Sequence, residues 1–136
     1  MRLLAMAVAV LLAGRGADAH TQLVAATPPA DAVVAAAPRE VVLEFSEPVQ
    51  ALPARWFPAG GGAPIEATPL ARGAKLVFPV PAGLGTGTQV LSWRVVSADG
   101  HPVGGSLVFS IGARSGTARA FAASGAGLAA AAGRSP

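Results

Sequence analysis

The segment Leu91–Ile111 reads LSWRVVSADGHPVGGSLVFSI, two apolar runs separated by a short polar segment. Every second residue of each run is large and apolar: Leu91, Trp93 and Val95, then Leu107, Phe109 and Ile111. A period of two is typical of strands that bury one face. The Asp-Gly pair between the runs is a common hairpin signal. The segment therefore predicts two strands joined by a turn.

The chain before this segment continues the β pattern in shorter runs. Val41, Leu43 and Phe45 alternate with other residues in the same way. Weaker strand candidates are short runs bounded by Pro and Gly, namely Gln22–Ala26, Ala54–Phe57, Ile65–Ala67 and Lys75–Val80. No window shows a helical repeat. About seven short strands in residues 20–112 predict an all-β fold, an immunoglobulin-like Greek-key β-sandwich.

The chain contains no cysteine. Disulfides, zinc-thiolate sites and thiol catalysis are therefore excluded. The sandwich must depend on burial of residues such as Phe45, Trp93 and Phe109, each of which contributes about 1.5–3 kcal/mol when fully buried.

Residues 1–19 have the pattern of a cleaved secretory signal peptide. Arg2 precedes an apolar run, and Ala17 and Ala19 occupy the small-residue positions of an A-x-A cleavage site. The apolar run is shorter than the roughly 20 residues that a permanent membrane helix needs. A buried N-terminal helix is the alternative. We expect the mature protein to begin at His20, outside the cytoplasm.

Residues 113–136 differ from the rest in composition, since Ala, Gly and Ser dominate. This composition predicts a flexible tail. Phe121–Ala132 is apolar but too short to cross a bilayer, so we expect no stable membrane span in the mature chain. An interfacial or truncated membrane segment is the alternative.

The charge of the chain is unevenly distributed. The whole sequence has a formal net charge of +3 and a pI near 11.1. Residues 20–112 carry five basic and six acidic side chains, whereas the tail carries three arginines and no acid. The basicity belongs to the flanking segments, which removes the support for a nucleic-acid partner.

The only two histidines, His20 and His101, occupy positions that favour metal binding. If His20 becomes the N-terminal residue, its α-amine, with an ordinary pKa of about 7.7–8.0, and its imidazole can chelate one ion. Asp99 and His101 are two residues apart, so their side chains would share one side of an extended backbone. Three nitrogens and one carboxylate oxygen suit Cu(II) in tetragonal geometry. A plain Asp-Gly turn with an exposed His101 is the alternative.

Three motifs, taken together, resemble the CopC family of copper-resistance proteins. They are HTQLVAATPPADA at His20–Ala32, PREVVLEFSEPV at Pro38–Val49 and SWRVVSADGHPVGGSLVF at Ser92–Phe109. The resemblance implies an extracytoplasmic β-sandwich that binds Cu(II) through His20, Asp99 and His101. It also implies that Glu47 corresponds to a carboxylate near the metal in some members, although a solvated glutamate at a strand end is equally ordinary.

The sequence departs from part of the family pattern. Some members carry a Met-rich Cu(I) site, because soft thioether ligands select that ion. Here the only methionines are Met1 and Met6, both in the predicted signal peptide. The sequence therefore predicts a protein that binds Cu(II) only.

The resemblance implies a periplasmic copper-homeostasis protein that is not an enzyme. It would sequester copper or deliver it to a membrane copper transporter. One alternative is an oxidative enzyme, because an N-terminal histidine with a second histidine also resembles the copper site of lytic polysaccharide monooxygenases. Against it, Asp99 would fill a position that oxygen activation needs open. The other alternative is a metal-free adhesion or scaffold sandwich.

Overall fold

The computed structural model describes residues 21–115, and this part of the chain contains ten β-strands and no helix. The strands are β1 (Leu23–Thr27), β2 (Val33–Val34), β3 (Glu40–Phe45), β4 (Gln50–Ala51), β5 (Ala54–Phe57), β6 (Ile65–Ala67), β7 (Leu70–Arg72), β8 (Lys75–Pro79), β9 (Gly87–Val96) and β10 (Pro102–Ile111). Accordingly, the described part has no helix that could span a membrane. The predicted signal peptide, His20 and residues 116–136 of the predicted tail lie outside the described residues.

The strands form two sheets. The first sheet has the order β1-β3-β8-β7, and the second has the order β2-β10-β9-β5-β6, with β4 also paired to β9. All pairs are antiparallel except β2 with β10. Because neighbouring strands are often distant in sequence, the order matches the predicted Greek-key class of sandwich. The all-β prediction is confirmed.

The core lies between the two sheets and is built from the predicted alternating residues. Val41, Leu43 and Phe45 are buried, as are their counterparts on β9 and β10. Two aromatic pairs pack edge to face. Phe45 of the first sheet packs on Trp93 of the second, with 5.2 Å between ring centroids. Trp56 and Phe109, both in the second sheet, have ring centroids 6.2 Å apart. Such pairs add about 0.5–1.5 kcal/mol beyond the burial of area.

The sequence predicts about seven strands, whereas residues 21–115 contain ten. The seven expected strands all appear within one residue of their predicted bounds, apart from the longer β9 and β10. The three additional ones are β2, β4 and β7, each of two or three residues. Two or three residues are too few to show a period of two in the sequence. These segments are strands because they pair with a neighbouring strand.

The β9–β10 hairpin is the longest element and it carries the predicted Asp-Gly turn. Its strands pair without a break from Gly87 opposite Ile111 to Val96 opposite Pro102. Gly105 lies opposite Trp93, and a Cβ at this glycine would lie 2.6 Å from Cζ2 of the indole ring. The missing side chain therefore leaves room for Trp93 to lie against its partner strand below the turn.

Candidate metal centre

The turn between β9 and β10 spans residues 97–101. The backbone N–H of Ser97 donates to the carbonyl of His101 at 2.9 Å, and the N–H of Gly100 donates to the carbonyl of Ser97 at 2.9 Å. Gly100 has a φ of +84°, a backbone conformation that residues with a side chain rarely adopt. The Asp-Gly pair therefore does form a turn, as its sequence indicates, and the turn sets the positions of Asp99 and His101.

Asp99 and His101 are in direct contact. Oδ2 of Asp99 lies 3.0 Å from Nδ1 of His101. The two side chains are close together, as the sequence predicts. The predicted reason, an extended backbone, is wrong, because Asp99 lies in the turn. The Asp99 side chain is 32% exposed and the imidazole is 75% exposed, so the pair is accessible from solvent.

The second carboxylate oxygen of Asp99 is held by two donors. Oδ1 accepts a hydrogen bond from the Ser97 hydroxyl, and the backbone N–H of His101 donates to it at 3.2 Å. These two hydrogen bonds, the Ser97 one foremost, lower the pKa of Asp99 to about 2, and the His101 imidazole adds to the effect while desolvation opposes it. Asp99 is thus a carboxylate throughout the pH range in which imidazole and amine ligands titrate.

The spacing of the pair is suited to one metal ion. Two ligands at roughly 2.1 Å from an ion and at right angles to each other lie roughly 3 Å apart. The Oδ2–Nδ1 distance of 3.0 Å matches that separation. A metal ion that binds both atoms could therefore replace the hydrogen bond between them. Nitrogen and carboxylate oxygen are donors that suit Cu(II) and other first-row divalent ions.

Glu47 lies outside the strands. Glu47 is half-buried in the segment that connects β3 with β4, and Gln50 at the start of β4 pairs with Val96 at the end of β9. Within residues 21–115, no three side chains of His, Cys, Asp or Glu form a group that could hold a metal ion. The described residues thus bring Asp99 and His101 together and do not add Glu47 to them as a third member. Its participation remains a prediction.

The described chain begins beside the segment that contains Glu47. The N–H of Gln22 donates to Oγ of Ser46 at 2.9 Å, and the N–H of Ser46 donates to the carbonyl of Gln22 at 2.8 Å. These bonds tie the start of β1 to the segment that contains Glu47. Thr21 is buried. In the sequence, Thr21 directly follows His20.

Ser97 is a residue of this centre that the sequence analysis missed. It is buried, directly follows β9 and contacts both Asp99 and His101. The available signal was a serine two residues before an aspartate in a turn, which is too common to indicate a function. Its importance appears only when the turn is folded.

The fold and the centre together define a class of protein, a small β-sandwich with a carboxylate–imidazole pair on a hairpin turn. Residues 23–112 match the model of the CopC domain. The chain belongs to the CopC family. The resemblance inferred from the three sequence motifs is thereby confirmed.

Similar proteins include copper resistance proteins. Copper resistance protein C of Xanthomonas campestris pv. juglandis is 38% identical over 121 residues, which cover 76% of this chain and 89% of that protein. Protein YobA of Escherichia coli K12 is 34% identical over 98 residues, covering 68% and 79% of the two chains.

Solved structures give the same family and fold. The crystal structure of CopC from Methylosinus trichosporium OB3b is similar with a TM-score of 0.58 and 33% identity, and the match covers 68% of this chain and 93% of that one. PcoC, a copper resistance protein from Escherichia coli, is similar with a TM-score of 0.55 and 27% identity, covering 66% and 98% of the two chains.

Proposed function

We propose that this protein binds Cu(II) in the periplasm, where it sequesters copper or delivers it to a membrane copper transporter. The observation that carries the proposal is the Asp99–His101 pair, whose Oδ2 and Nδ1 atoms lie 3.0 Å apart on an accessible turn. Membership of a family that includes copper resistance proteins supports copper as the ion. Binding, rather than catalysis, is the proposed activity.

The complete ligand set in this proposal has four equatorial donors. Oδ2 of Asp99 and a ring nitrogen of His101 supply two of them, and the α-amine and imidazole of His20 supply the other two once residues 1–19 are removed. The hydrogen bonds between Gln22 and Ser46 support this arrangement, because they hold the chain that follows His20 at one end of the sandwich. Glu47 would act as an additional carboxylate near the ion.

The available donors favour Cu(II) over Cu(I). Soft sulfur ligands select Cu(I), and the sequence from His20 onward contains neither methionine nor cysteine. One similar structure is that of PcoC, described as a methionine-rich copper resistance protein, so this chain differs from that relative in its sulfur content.

Delivery to a partner is supported by the exposure of the centre. The His101 imidazole is 75% exposed, so an incoming ligand from another protein can approach the ion while it is still partly held here. A transporter at the membrane would then take the ion by exchange of one ligand at a time.

An electron paramagnetic resonance spectrum tests the proposed centre directly. With one equivalent of Cu(II), protein that begins at His20 is expected to give a tetragonal signal with couplings to nitrogen, because three of its four ligands are nitrogens. The His101→Ala variant should lose the coupling of one imidazole. A signal identical to that of Cu(II) in buffer would show that the protein does not bind the ion, which would contradict the proposal.

Copper binding is expected to weaken as the pH falls. Imidazole and amine coordinate a metal only when neutral, so protons compete with copper below about pH 6.5, where free imidazole titrates. Asp99 has a pKa of about 2 and stays ionised, so the loss comes from the nitrogen ligands. Competition titrations with Cu(II) between about pH 8 and about pH 4 measure the effect. An affinity that is constant over this range would contradict ligation by two histidines.

A further inference from the structure

Ser97 has one hydroxyl proton and two acceptors within reach. Its Oγ lies 3.0 Å from the carbonyl oxygen of His101 and also contacts Oδ1 of Asp99. Both neighbours are acceptors only, so the proton can be donated to one of them at a time. The His101 carbonyl already accepts the backbone N–H of Ser97 at 2.9 Å. The carboxylate is the stronger acceptor because it is charged, so the hydroxyl donates to Asp99.

This hydrogen bond separates the roles of the two carboxylate oxygens. Oδ1 accepts from the Ser97 hydroxyl and from the His101 N–H, which are both part of the turn itself. Oδ2 is then directed at Nδ1 of His101. Because Ser97 is only 6% exposed, water competes little for the hydroxyl, and the carboxylate is held in one rotational state before any metal arrives.

We infer that Ser97 is a positioning residue for metal binding, which fixes the Asp99 carboxylate so that Oδ2 alone is presented to the ion. The inference rests on the proposed function, in which Asp99 and His101 are ligands. Ser97 itself does not touch the ion. Its contribution is to reduce the conformational freedom that the ligand would otherwise lose on binding.

The size of the effect follows from comparable groups in other metal sites. Loss of a hydrogen-bonding partner of a metal ligand typically lowers metal affinity by about 10–100-fold. Ser97→Ala should therefore weaken Cu(II) binding by about 10–100-fold, whereas Ser97→Thr, which keeps the hydroxyl, should restore most of it. Ser106→Ala is the matched control, since Ser106 is an exposed serine on β10 of the same hairpin.

A second measurement needs no metal. An ionised Oδ2 can only accept, so the hydrogen bond to His101 requires the proton on Nδ1. Nitrogen-15 NMR of the metal-free protein, at a pH where the ring is neutral, should show His101 with its proton mainly on Nδ1. In Ser97→Ala the two tautomers should become mixed, and in Ser106→Ala the ring should match the wild type. Loss of turn stability alone, without loss of positioning, would leave the tautomer of the folded protein unchanged.

The outcomes distinguish this inference from the proposed function. If the wild type fails to bind Cu(II), the proposed function is wrong. If the wild type binds and Ser97→Ala binds equally tightly with an unchanged His101 tautomer, only the positioning role is wrong. If Ser97→Ala weakens binding and Ser97→Thr does not restore it, while thermal unfolding shows both variants folded, the hydroxyl is not the responsible group and the inference is also wrong.

Discussion

Blocking the α-amine of His20 is expected to weaken Cu(II) binding by about a hundredfold or more. In the proposed centre the amine and the imidazole of His20 bind one ion together, and two linked donors typically gain a factor of about 10²–10⁴ over separate ones. Acetylation converts the amine into an amide that no longer coordinates in this way. The ion would then depend on Asp99, His101 and a single imidazole of His20.

The composition of the chain allows a specific experiment. Lys75 is the only lysine in the sequence. In the Lys75→Arg variant that begins at His20, the α-amine is therefore the only primary amine, and acetic anhydride can modify it selectively. Arginine preserves the positive charge at position 75. Competition titration of the acetylated protein against the untreated variant measures the loss. Equal affinities would show that the amine is not a ligand, and would leave the Asp99–His101 pair as the core of a different site.

Gly105→Ala is expected to lower the free energy of unfolding by about 1–3 kcal/mol, the usual cost of adding a methyl group to a filled space. The new Cβ would lie 2.6 Å from Cζ2 and 3.0 Å from Cε2 of the Trp93 ring. That ring also packs edge-to-face on Phe45 of the opposite sheet, so it cannot move away freely. Each kcal/mol should lower the melting temperature by about 4–8 °C in a domain of this size.

Gly104→Ala is the matched control for this substitution. It also lies on β10, but its added Cβ would meet only the Trp93 carbonyl at 3.3 Å and the stem of Arg94 at 3.4 Å. We expect a smaller loss of stability, measured for both variants by thermal and urea unfolding. In a Trp93→Leu background the additional cost of Gly105→Ala should decrease, because the clashing ring is absent. Equal effects of the two alanine substitutions would contradict the packing argument.

The alternating runs predicted the fold well because burial on one face leaves a period of two in the sequence. Leu91, Trp93 and Val95 all point into the core as expected. The pattern fails at the other end of β9, where Gln89 is fully buried. Its side chain accepts the N–H of Ala59 and donates to the carbonyls of Gly85 and Gly87. Two of these partners, Ala59 and Gly85, lie in loops, so no local pattern could have indicated that a polar residue would be satisfied there.

The candidate site was predictable only in part, for a similar reason. Asp99 and His101 are two residues apart, so their proximity was predicted, but from an extended backbone and not from the turn that brings them together. The role of Ser97 depends on the direction of one hydroxyl group inside the folded turn, which sequence spacing does not specify. Glu47 depends on the path of a connecting segment between the two sheets, and its contact with an ion remains a prediction.

The proposed ligands come from two separate parts of the sequence. His20 directly precedes the segment leading to β1 of the first sheet, whereas Asp99 and His101 sit on the β9–β10 turn of the second. A copper ion held by both would be a reversible cross-link between the layers of a sandwich that has no disulfide. Ligand binding of this kind stabilises the folded state by about 2.7 kcal/mol when free ligand is a hundredfold above its dissociation constant. Resistance to unfolding and copper occupancy would then be a single, coupled property, and a protein that has given up its copper would also be the more easily unfolded one.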